Sequence, residues 1–271
     1  GKTYYLATLL LPPAKRPFVH ALYGFARYAD EVVDNLGDTR SIAEKAAALD
    51  EIHRELKACV AGSPSAIPVV RAVAHTIRTW DLDMAHFDAF MHSMRMDLSV
   101  THYDTYEALY EYVYGSAAVI GLQMVPILEP TDARAFDCAK DLGIAFQLAN
   151  FIRDVGEDLE RGRIYLPLDE LAEHGVTPDV LRARVATPAV KAALAQQIAR
   201  VRSLQQRAEP GIALLSPVAQ PCIRAASILY CGIVDEVEGI DYEVFTKRAK
   251  VPLQRRLSVA ARAWLDARTA R

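Results

Sequence analysis

Apolar and polar residues follow one another along most of the chain with the spacing of helices rather than of strands. Apolar residues recur every three or four positions over long stretches, which is the period of one face of an α-helix. The sequence lacks runs of β-branched residues with period two, and no Asn-Gly or Asp-Gly turn separates two apolar segments. The pattern therefore predicts an all-α protein.

Proline and glycine clusters divide this pattern into about ten helices. The breaks fall at Pro12-Pro13, Gly37-Asp38, Gly62-Ser63-Pro64, Glu129-Pro130-Thr131, Pro167, Gly175-Val176-Thr177-Pro178, Pro210-Gly211 and Ser216-Pro217. The longest uncharged stretch, residues 112–128, includes glycine, serine, glutamine and proline, which lower its hydrophobicity. We therefore predict that this stretch is a helix buried in the protein and does not span a membrane.

Two of the predicted helices carry a polar stripe along one face. The first stripe consists of Tyr23, Arg27, Asp30 and Asp34. The second stripe consists of Gln147, Asn150, Asp154 and Asp158, and apolar residues border it. Each stripe contains two aspartates four positions apart, and residues with this spacing project from the same side of a helix.

The aspartate pairs predict a metal and anion site. Two carboxylates on one helix face offer the hard oxygen ligands that Mg²⁺ prefers. A single pair of this kind is more often a solvated helix face. Here the second pair is followed by Arg161 and Arg163, whose guanidinium groups suit phosphate oxygens. The combination predicts that the two pairs are parts of one site for Mg²⁺ and a phosphorylated substrate, although spacing alone does not establish how the two helices are arranged.

Composition and charge restrict the alternatives. A chain of 271 residues with 52% hydrophobic content and no long linker is expected to form one domain, residues 1–271. A net charge of −3, without a basic segment interleaved with aromatic residues, argues against a nucleic-acid partner. The four cysteines lack metal-ligand spacing, so we expect buried free thiols. No signal peptide is visible, which predicts a cytoplasmic location.

Two segments, ALYGFARYADEVVD and QLANFIRDVGEDLERGRIYLP, resemble the squalene and phytoene synthase family. The likeness runs from GKTYYLATLLLPPAKR through MRMDL and YVYGSAAVIG to DEVEGIDYEVFTKRAKV, and so covers nearly the whole chain. It implies an isoprenoid-synthase-type helical bundle around a central apolar cavity, with the aspartate helices at its mouth. One departure is SAAVIG, where many members have a VAGTVG-like segment, so Ser116 and Ala118 leave the cavity shape open.

The resemblance also implies roles for individual residues. Mg²⁺, with Mn²⁺ as a second candidate, would be held by Asp30, Asp34, Asn150, Asp154 and Asp158. The implied catalytic residues are the four aspartates together with Tyr23 and Tyr230. The implied substrate-binding residues are Lys2, Arg27, Asp97, Tyr112, Gln147, Asn150, Arg153 and Arg163. Other roles stay open for three groups. Arg153 points about 100° away from Asp154 on an ideal helix. Asp97 could instead cap a helix or pair locally, and the tyrosines could be ordinary buried core residues.

The activity that the resemblance implies is a 1'-1 condensation of two geranylgeranyl diphosphates, through prephytoene diphosphate, to phytoene. The segment RDVGEDLERGRIYLP is closest to the bacterial members that form phytoene. NADPH is not expected, because no glycine-rich nucleotide loop follows a predicted strand. The alternatives are squalene or dehydrosqualene synthesis from farnesyl diphosphate, cyclisation of a single prenyl diphosphate, and an inert scaffold, against which the intact aspartate pairs argue.

Apolar substrate tails and an apolar product predict loose peripheral association with a membrane. The pattern of the sequence shows no long helix with a strongly basic face that would serve as an anchor. The oligomeric state is not indicated by any feature of the sequence.

Overall fold

Helices form all the elements of regular structure in the part of the chain that the structure describes. The structure is a computed structural model and describes residues 7–35 and 37–269. Within these ranges, extended pairing is limited to isolated bridges between His102 and Ile164 and between Pro130 and Leu215. The predicted all-α class is confirmed.

The helices are α1 (Arg16–Asp34), α2 (Ile42–Val60), α3 (Pro68–Trp80), α4 (Met84–Met96), α5 (Tyr106–Val113), α6 (Val119–Ile127), α7 (Arg134–Glu160), α8 (Leu168–Glu173), α9 (Pro178–Arg182), α10 (Pro188–Ala208), α11 (Gln220–Cys231), α12 (Ile233–Gly239) and α13 (Leu253–Thr269). A π-helical segment (Tyr114–Ala118) joins α5 to α6, and a 3₁₀ segment (Glu209–Leu214) follows α10.

The described residues form more helices than the ten or so that the sequence predicts. Some helices end without the glycine or proline on which the prediction relied. Between α3 and α4, Asp81 adopts a left-handed conformation with φ of 50°. Asp83 then accepts a hydrogen bond from the backbone amide of Ala85 and so caps α4. Aspartate tolerates the left-handed region and is a good N-cap, so two aspartates make this turn where the sequence offers no stronger break.

Helix α7 lies at the centre of the molecule and packs against α6, α10, α11, α12 and both irregular segments. It contributes to two hydrophobic cores. One core is formed mainly by α1 to α4 and α6, and the other mainly by α5, α7 to α10 and α12. Because one long helix belongs to both cores, the two halves pack as a continuous body, although the single-domain assignment of residues 1–271 stays a prediction.

The small residues of the SAAVIG region bring neighbouring helices unusually close. A Cβ at Gly121 of α6 would lie 2.3 Å from the carbonyl oxygen of Ala139 on α7. A Cβ at Gly143 of α7 would lie 2.5 Å from the carbonyl oxygen of Ala117. Both distances are shorter than a carbon and an oxygen tolerate, so only glycine fits at these two crossings.

Residues 112–128 form the end of α5, the π-helical segment, α6 and its C-cap, and most of them are buried within the bundle. Among the described helices there is none with the length and apolarity needed to cross a membrane.

Candidate active site

The first aspartate pair lies on the last two turns of α1. Asp30 is bound by Arg27 of the same helix, whose Nη1 is 2.6 Å from Oδ2, and Arg27 also reaches Glu31 at 3.1 Å. Partial burial, and then the nearby charge of Asp34, raise the pKa of the Asp30 carboxyl. Two carboxylates held on one helix face therefore repel each other, and a cation between them would relieve that repulsion.

The second pair lies on α7, where the two carboxylates differ. Asp154 is bound by Arg153, with Nε 2.7 Å from Oδ1, and by Arg248, with Nη2 3.1 Å from Oδ1. The carboxylate of Asp158 has no hydrogen-bond or ion-pair partner among residues 7–35 and 37–269. Burial raises the pKa of Asp158 to about 7, and repulsion from Asp154 adds to the shift. Asp158 is thus the carboxylate with the most to gain from a bound cation.

Two arginines connect the helices that carry the pairs. Arg161 and Arg163 follow directly after α7, and both reach Asp34 at the end of α1, with N···O distances of 3.1 and 3.2 Å. Gly162, with φ of 74°, makes the turn between them. These contacts bring the end of α1 beside the end of α7, with two guanidinium groups between them. The arrangement that the resemblance implies, with both aspartate pairs at one mouth of the cavity, stays a prediction.

Asp97 and Tyr112 lie behind Arg163. The Asp97 side chain is buried and accepts hydrogen bonds from the hydroxyls of Tyr112 at 2.6 Å and Tyr165 at 3.1 Å. The Asp97 carbonyl accepts a hydrogen bond from Arg163 at 2.8 Å, and Tyr165 accepts a second one at 3.1 Å. In this structure Asp97 holds Arg163 through its carbonyl, and Tyr112 in turn holds the Asp97 carboxylate. Direct substrate contact by Asp97 and Tyr112, which the resemblance implies, stays a prediction.

An apolar cavity of about 380 Å³ lies next to the stripes, as predicted. Tyr23 and Gln147, which belong to the stripes, line it, and so do Ser116 and Ala117 of the π-helical segment. The lining continues along α7 from Gln147 to Ala135, which corresponds to a length of about 18 Å at 1.5 Å per residue. Tyr23 and Gln147 therefore belong both to the polar stripes and to the wall of the apolar cavity.

Tyr230 of α11 also lines the cavity, where its ring stacks on Phe146 with centroids 4.7 Å apart. Burial raises the pKa of the Tyr230 phenol, and the neighbouring Tyr23 raises it further. The phenol is therefore neutral at physiological pH, and its ring face is available to a cation in the cavity.

The described residues contain no group of three or more aspartate, glutamate, histidine or cysteine side chains placed to hold one metal ion. The predicted set of five ligands is thus arranged as two separate pairs, with arginines contacting three of the four aspartates. Two features nevertheless fit a divalent cation: within residues 7–35 and 37–269 the Asp158 carboxylate has no hydrogen-bond or ion-pair partner, and the buried Oδ1 atom of Asn150 has no hydrogen-bond partner there. The residues present would hold a divalent cation through the carboxylates of either pair, and the cation would supply positive charge for a phosphorylated substrate.

The predicted residues thus fall into three groups. The cleft or the cavity beside it includes Tyr23, Arg27, Asp30, Asp34, Gln147, Asn150, Arg153, Asp154, Asp158, Arg163 and Tyr230. Asp97 and Tyr112 lie one contact behind it, and Lys2 lies outside the described residues. Arg153 contacts the site after all, because its long side chain bends toward Asp154.

The structure adds Arg248 and Tyr165 to the predicted set. Arg248 lies 94 residues from Asp154 in the chain, and its other nitrogen contacts Glu157 at 3.0 Å. In the sequence, Arg248 stands in the basic end of the DEVEGIDYEVFTKRAKV segment, but no helical spacing relates that segment to the polar stripe on α7.

The cysteines are free, with Cys59, Cys222 and Cys231 buried and Cys138 half-buried at the cavity wall.

Comparisons with known proteins agree with this architecture. The family model described as squalene/phytoene synthase matches residues 1–255. The chain is 39% identical to 15-cis-phytoene synthase of Synechococcus elongatus over 269 residues, covering 95% of this chain and 86% of that protein. It is 38% identical to the chloroplastic phytoene synthase of Daucus carota over 263 residues, covering 95% of this chain and 65% of that protein.

Solved structures show the same fold. A dehydrosqualene synthase in complex with a ligand superposes with a TM-score of 0.88 at 27% identity, covering 99% of this chain and 93% of the other. A squalene synthase from Alicyclobacillus acidocaldarius superposes with a TM-score of 0.82 at 28% identity, covering 89% and 90%. Several plant relatives are longer, and the chain spans a little under two thirds of their length. The chain belongs to the squalene/phytoene synthase family.

Proposed function

We propose that the protein condenses two molecules of geranylgeranyl diphosphate 1'-1 to phytoene. The observation that carries this proposal is the apolar cavity lined by Tyr23 and Gln147 of the two aspartate helices, whose ends are joined through Arg161 and Arg163. A prenyl diphosphate has the matching two parts, a charged head for the cleft and an apolar tail for the cavity. The phytoene synthases named among the relatives support the same activity.

The chemistry proceeds in two ionisations. In the first, the C1–O bond of one substrate breaks, diphosphate leaves with the bonding electrons, and the double bond of the second substrate attacks the allylic cation. Loss of one proton gives the cyclopropyl compound prephytoene diphosphate. In the second, this compound loses its diphosphate, the cation rearranges, and loss of another proton gives phytoene. Electrons balance without a reductant, which agrees with the expectation that NADPH is not used.

The residues of the cleft would promote ionisation by stabilising the negative charge that develops on the leaving diphosphate. Mg²⁺, when bound by Asp30, Asp34, Asn150, Asp154 and Asp158, supplies part of that stabilisation. Arg27, Arg161 and Arg163 already lie against the first aspartate pair and offer paired N–H donors to diphosphate oxygens. The dry wall of the cavity excludes water, so the cation is attacked by carbon and not hydrolysed.

The length of the cavity favours the longer substrate. Carbon–carbon bonds of about 1.5 Å give an extended geranylgeranyl chain a length of roughly 19 Å and a farnesyl chain roughly 14 Å. The cavity wall along α7 extends for about 18 Å. The structural similarity to dehydrosqualene and squalene synthases keeps farnesyl diphosphate as the second candidate substrate.

Product identification tests this proposal. Purified protein is incubated with geranylgeranyl or farnesyl diphosphate, with Mg²⁺ or EDTA, and with or without NADPH, and the products are analysed by mass spectrometry. A Mg²⁺-dependent C40 product without NADPH supports the proposal. A C30 product from farnesyl diphosphate alone, or a cyclic C15 or C20 product, contradicts it. A further incubation replaces Mg²⁺ by Mn²⁺. Location in the cytoplasm is a separate proposal, which this experiment does not test.

A further inference from the structure

The last described helix, α13, carries an apolar stripe on its exposed side. Leu253, Leu257, Trp264 and Leu265 are 51–60% exposed. At about 100° per residue these four side chains fall within a sector of roughly 120°. The opposite face packs against α11 through the buried residues Ala263 and Ala267 and the half-buried Val259. Large apolar residues scattered singly need no explanation, but a tryptophan and three leucines along one helix face indicate a partner.

Basic residues surround this stripe. Seven basic residues and one acidic residue, Asp266, lie between positions 247 and 269 of a chain whose net charge is −3. The basic residues are Lys247, Arg248, Lys250, Arg255, Arg256, Arg262 and Arg268. Among the described residues, only Arg248 and Arg255 of this set form ion pairs. Arg268 covers the ring of Trp264, with Cζ 4.5 Å from its centroid. Four exposed basic residues of this segment, Lys247, Lys250, Arg262 and Arg268, therefore have no ion-pair partner within the described residues.

We propose that α13 lies in the surface of an anionic lipid bilayer, with Leu253, Leu257, Trp264 and Leu265 entering the headgroup boundary. An amphipathic helix with leucine and tryptophan on one face and basic residues beside it is suited to this position. Tryptophan partitions to the level of the headgroups, and each basic residue near an anionic surface adds to the attraction. A second copy of the chain suits the stripe less well, because a symmetric contact would bring the two basic segments together.

The position of α13 connects this surface to the site. Helix α11, on which α13 packs, supplies Cys222, Ile223, Ala226 and Tyr230 to the cavity wall. A bilayer at α13 would therefore lie one helix away from the cavity. Binding of lipid by α13 does not depend on the reaction proposed above, because it follows from the exposed residues alone.

Vesicle co-sedimentation without substrate tests the proposal. The wild-type protein is expected to bind vesicles of phosphatidylcholine with added phosphatidylserine more tightly than phosphatidylcholine alone. The double variant Leu257→Glu/Trp264→Glu is expected to lose about 100-fold in affinity. Arg262→Gln/Arg268→Gln is expected to lose about tenfold, and only on the anionic vesicles. Ile42→Glu, at a residue that is 62% exposed on α2, is the matched control and should bind like the wild type.

Three results would overturn the proposal. They are no binding of the wild type to anionic vesicles, equal binding by the double variant, or an equal loss in Ile42→Glu. Light scattering tests the alternative that a second copy of the chain covers α13. A dimeric wild type together with a monomeric double variant would favour that alternative and contradict the proposal. Circular dichroism of each variant confirms that the helical content is unchanged. Turnover of substrate dispersed in detergent is measured in parallel, so loss of lipid binding and loss of activity are told apart.

Discussion

Arg163, three residues after the end of α7, contacts Asp34 of α1, with Nη1 3.2 Å from Oδ1. The same guanidinium also contacts the Tyr165 hydroxyl and the Asp97 carbonyl, so its orientation is fixed by three partners. A planar group with fixed donors is suited to bind a diphosphate that arrives beside Asp34.

Arg163→Lys is expected to lower turnover of geranylgeranyl diphosphate about 100-fold, because lysine keeps the charge but cannot maintain the three contacts together. Steady-state kinetics and inhibition by inorganic diphosphate measure the effect. Arg161→Lys is the comparison variant, since Arg161 is more exposed and makes one described contact, to Asp34. Equal losses in both variants would show that the supporting contacts of Arg163 do not matter.

Asp97→Asn tests that support. The carboxylate accepts hydrogen bonds from Tyr112 and Tyr165, and an amide presents only one acceptor oxygen to the two hydroxyls. We expect turnover to fall about tenfold or more, with weaker inhibition by inorganic diphosphate, because Arg163 loses its fixed position. Tyr112→Phe, which removes one donor, should show a smaller loss. Unchanged diphosphate inhibition in Asp97→Asn would contradict the positioning role.

The raised pKa of Asp158 predicts that the stability of the protein depends on pH. Its pKa is raised from 3.8 in the unfolded chain to about 7 in the folded protein, chiefly by burial. Between these values the folded state binds more protons than the unfolded state, so the stability of the metal-free protein falls as pH rises from about 4 to about 7. The contribution is about 1–3 kcal/mol after allowance for partial solvation.

Thermal unfolding in EDTA at pH 5.5 and pH 8 measures this dependence. Asp158→Asn is expected to reduce the difference between the two pH values and to be more stable than the wild type at pH 8. Mg²⁺ at pH 8 should stabilise the wild type more than the variant. A difference between the two pH values that is the same in both proteins would contradict the assignment.

Ala135→Leu tests the length of the cavity. Ala135 is buried at the far end of the α7 wall, so a larger side chain there would shorten the space for a tail. We expect kcat/KM for geranylgeranyl diphosphate to fall at least about tenfold while that for farnesyl diphosphate changes little. Ala133→Leu, two residues away at an exposed position, is the control. A parallel loss for both substrates would indicate disturbed packing instead.

The sequence was sufficient for the parts of the site that follow helical spacing. Asp30 and Asp34, and Asp154 and Asp158, share a face because an α-helix repeats every 3.6 residues. Spacing does not report contacts between distant segments. Arg248 reaches Asp154 only because the chain after α12 returns to α7, and Asp97 meets Tyr165 only because the segment after Gly162 passes beside it. Such contacts depend on tertiary packing.

The same limit explains the errors at helix boundaries. Glycine and proline mark most of the observed breaks, including those around Gly62 and Pro130. The turn between α3 and α4 uses Asp81 and Asp83, which also occur in helices and on their surfaces, so it was not predicted. The length of the cavity likewise depends on how closely Gly121 and Gly143 let helices approach.

Turnover of geranylgeranyl diphosphate by four single variants, Asp30→Asn, Asp34→Asn, Asp154→Asn and Asp158→Asn, tests the central claim that both pairs form one ionisation site. Asp137→Asn, at an exposed residue of α7, is the control. C40 product is quantified by mass spectrometry at several Mg²⁺ concentrations. We expect each of the four variants to lose 100-fold or more with its helical content intact, and the control to keep full activity. Loss confined to one pair, with near-normal turnover in the other, would contradict the claim.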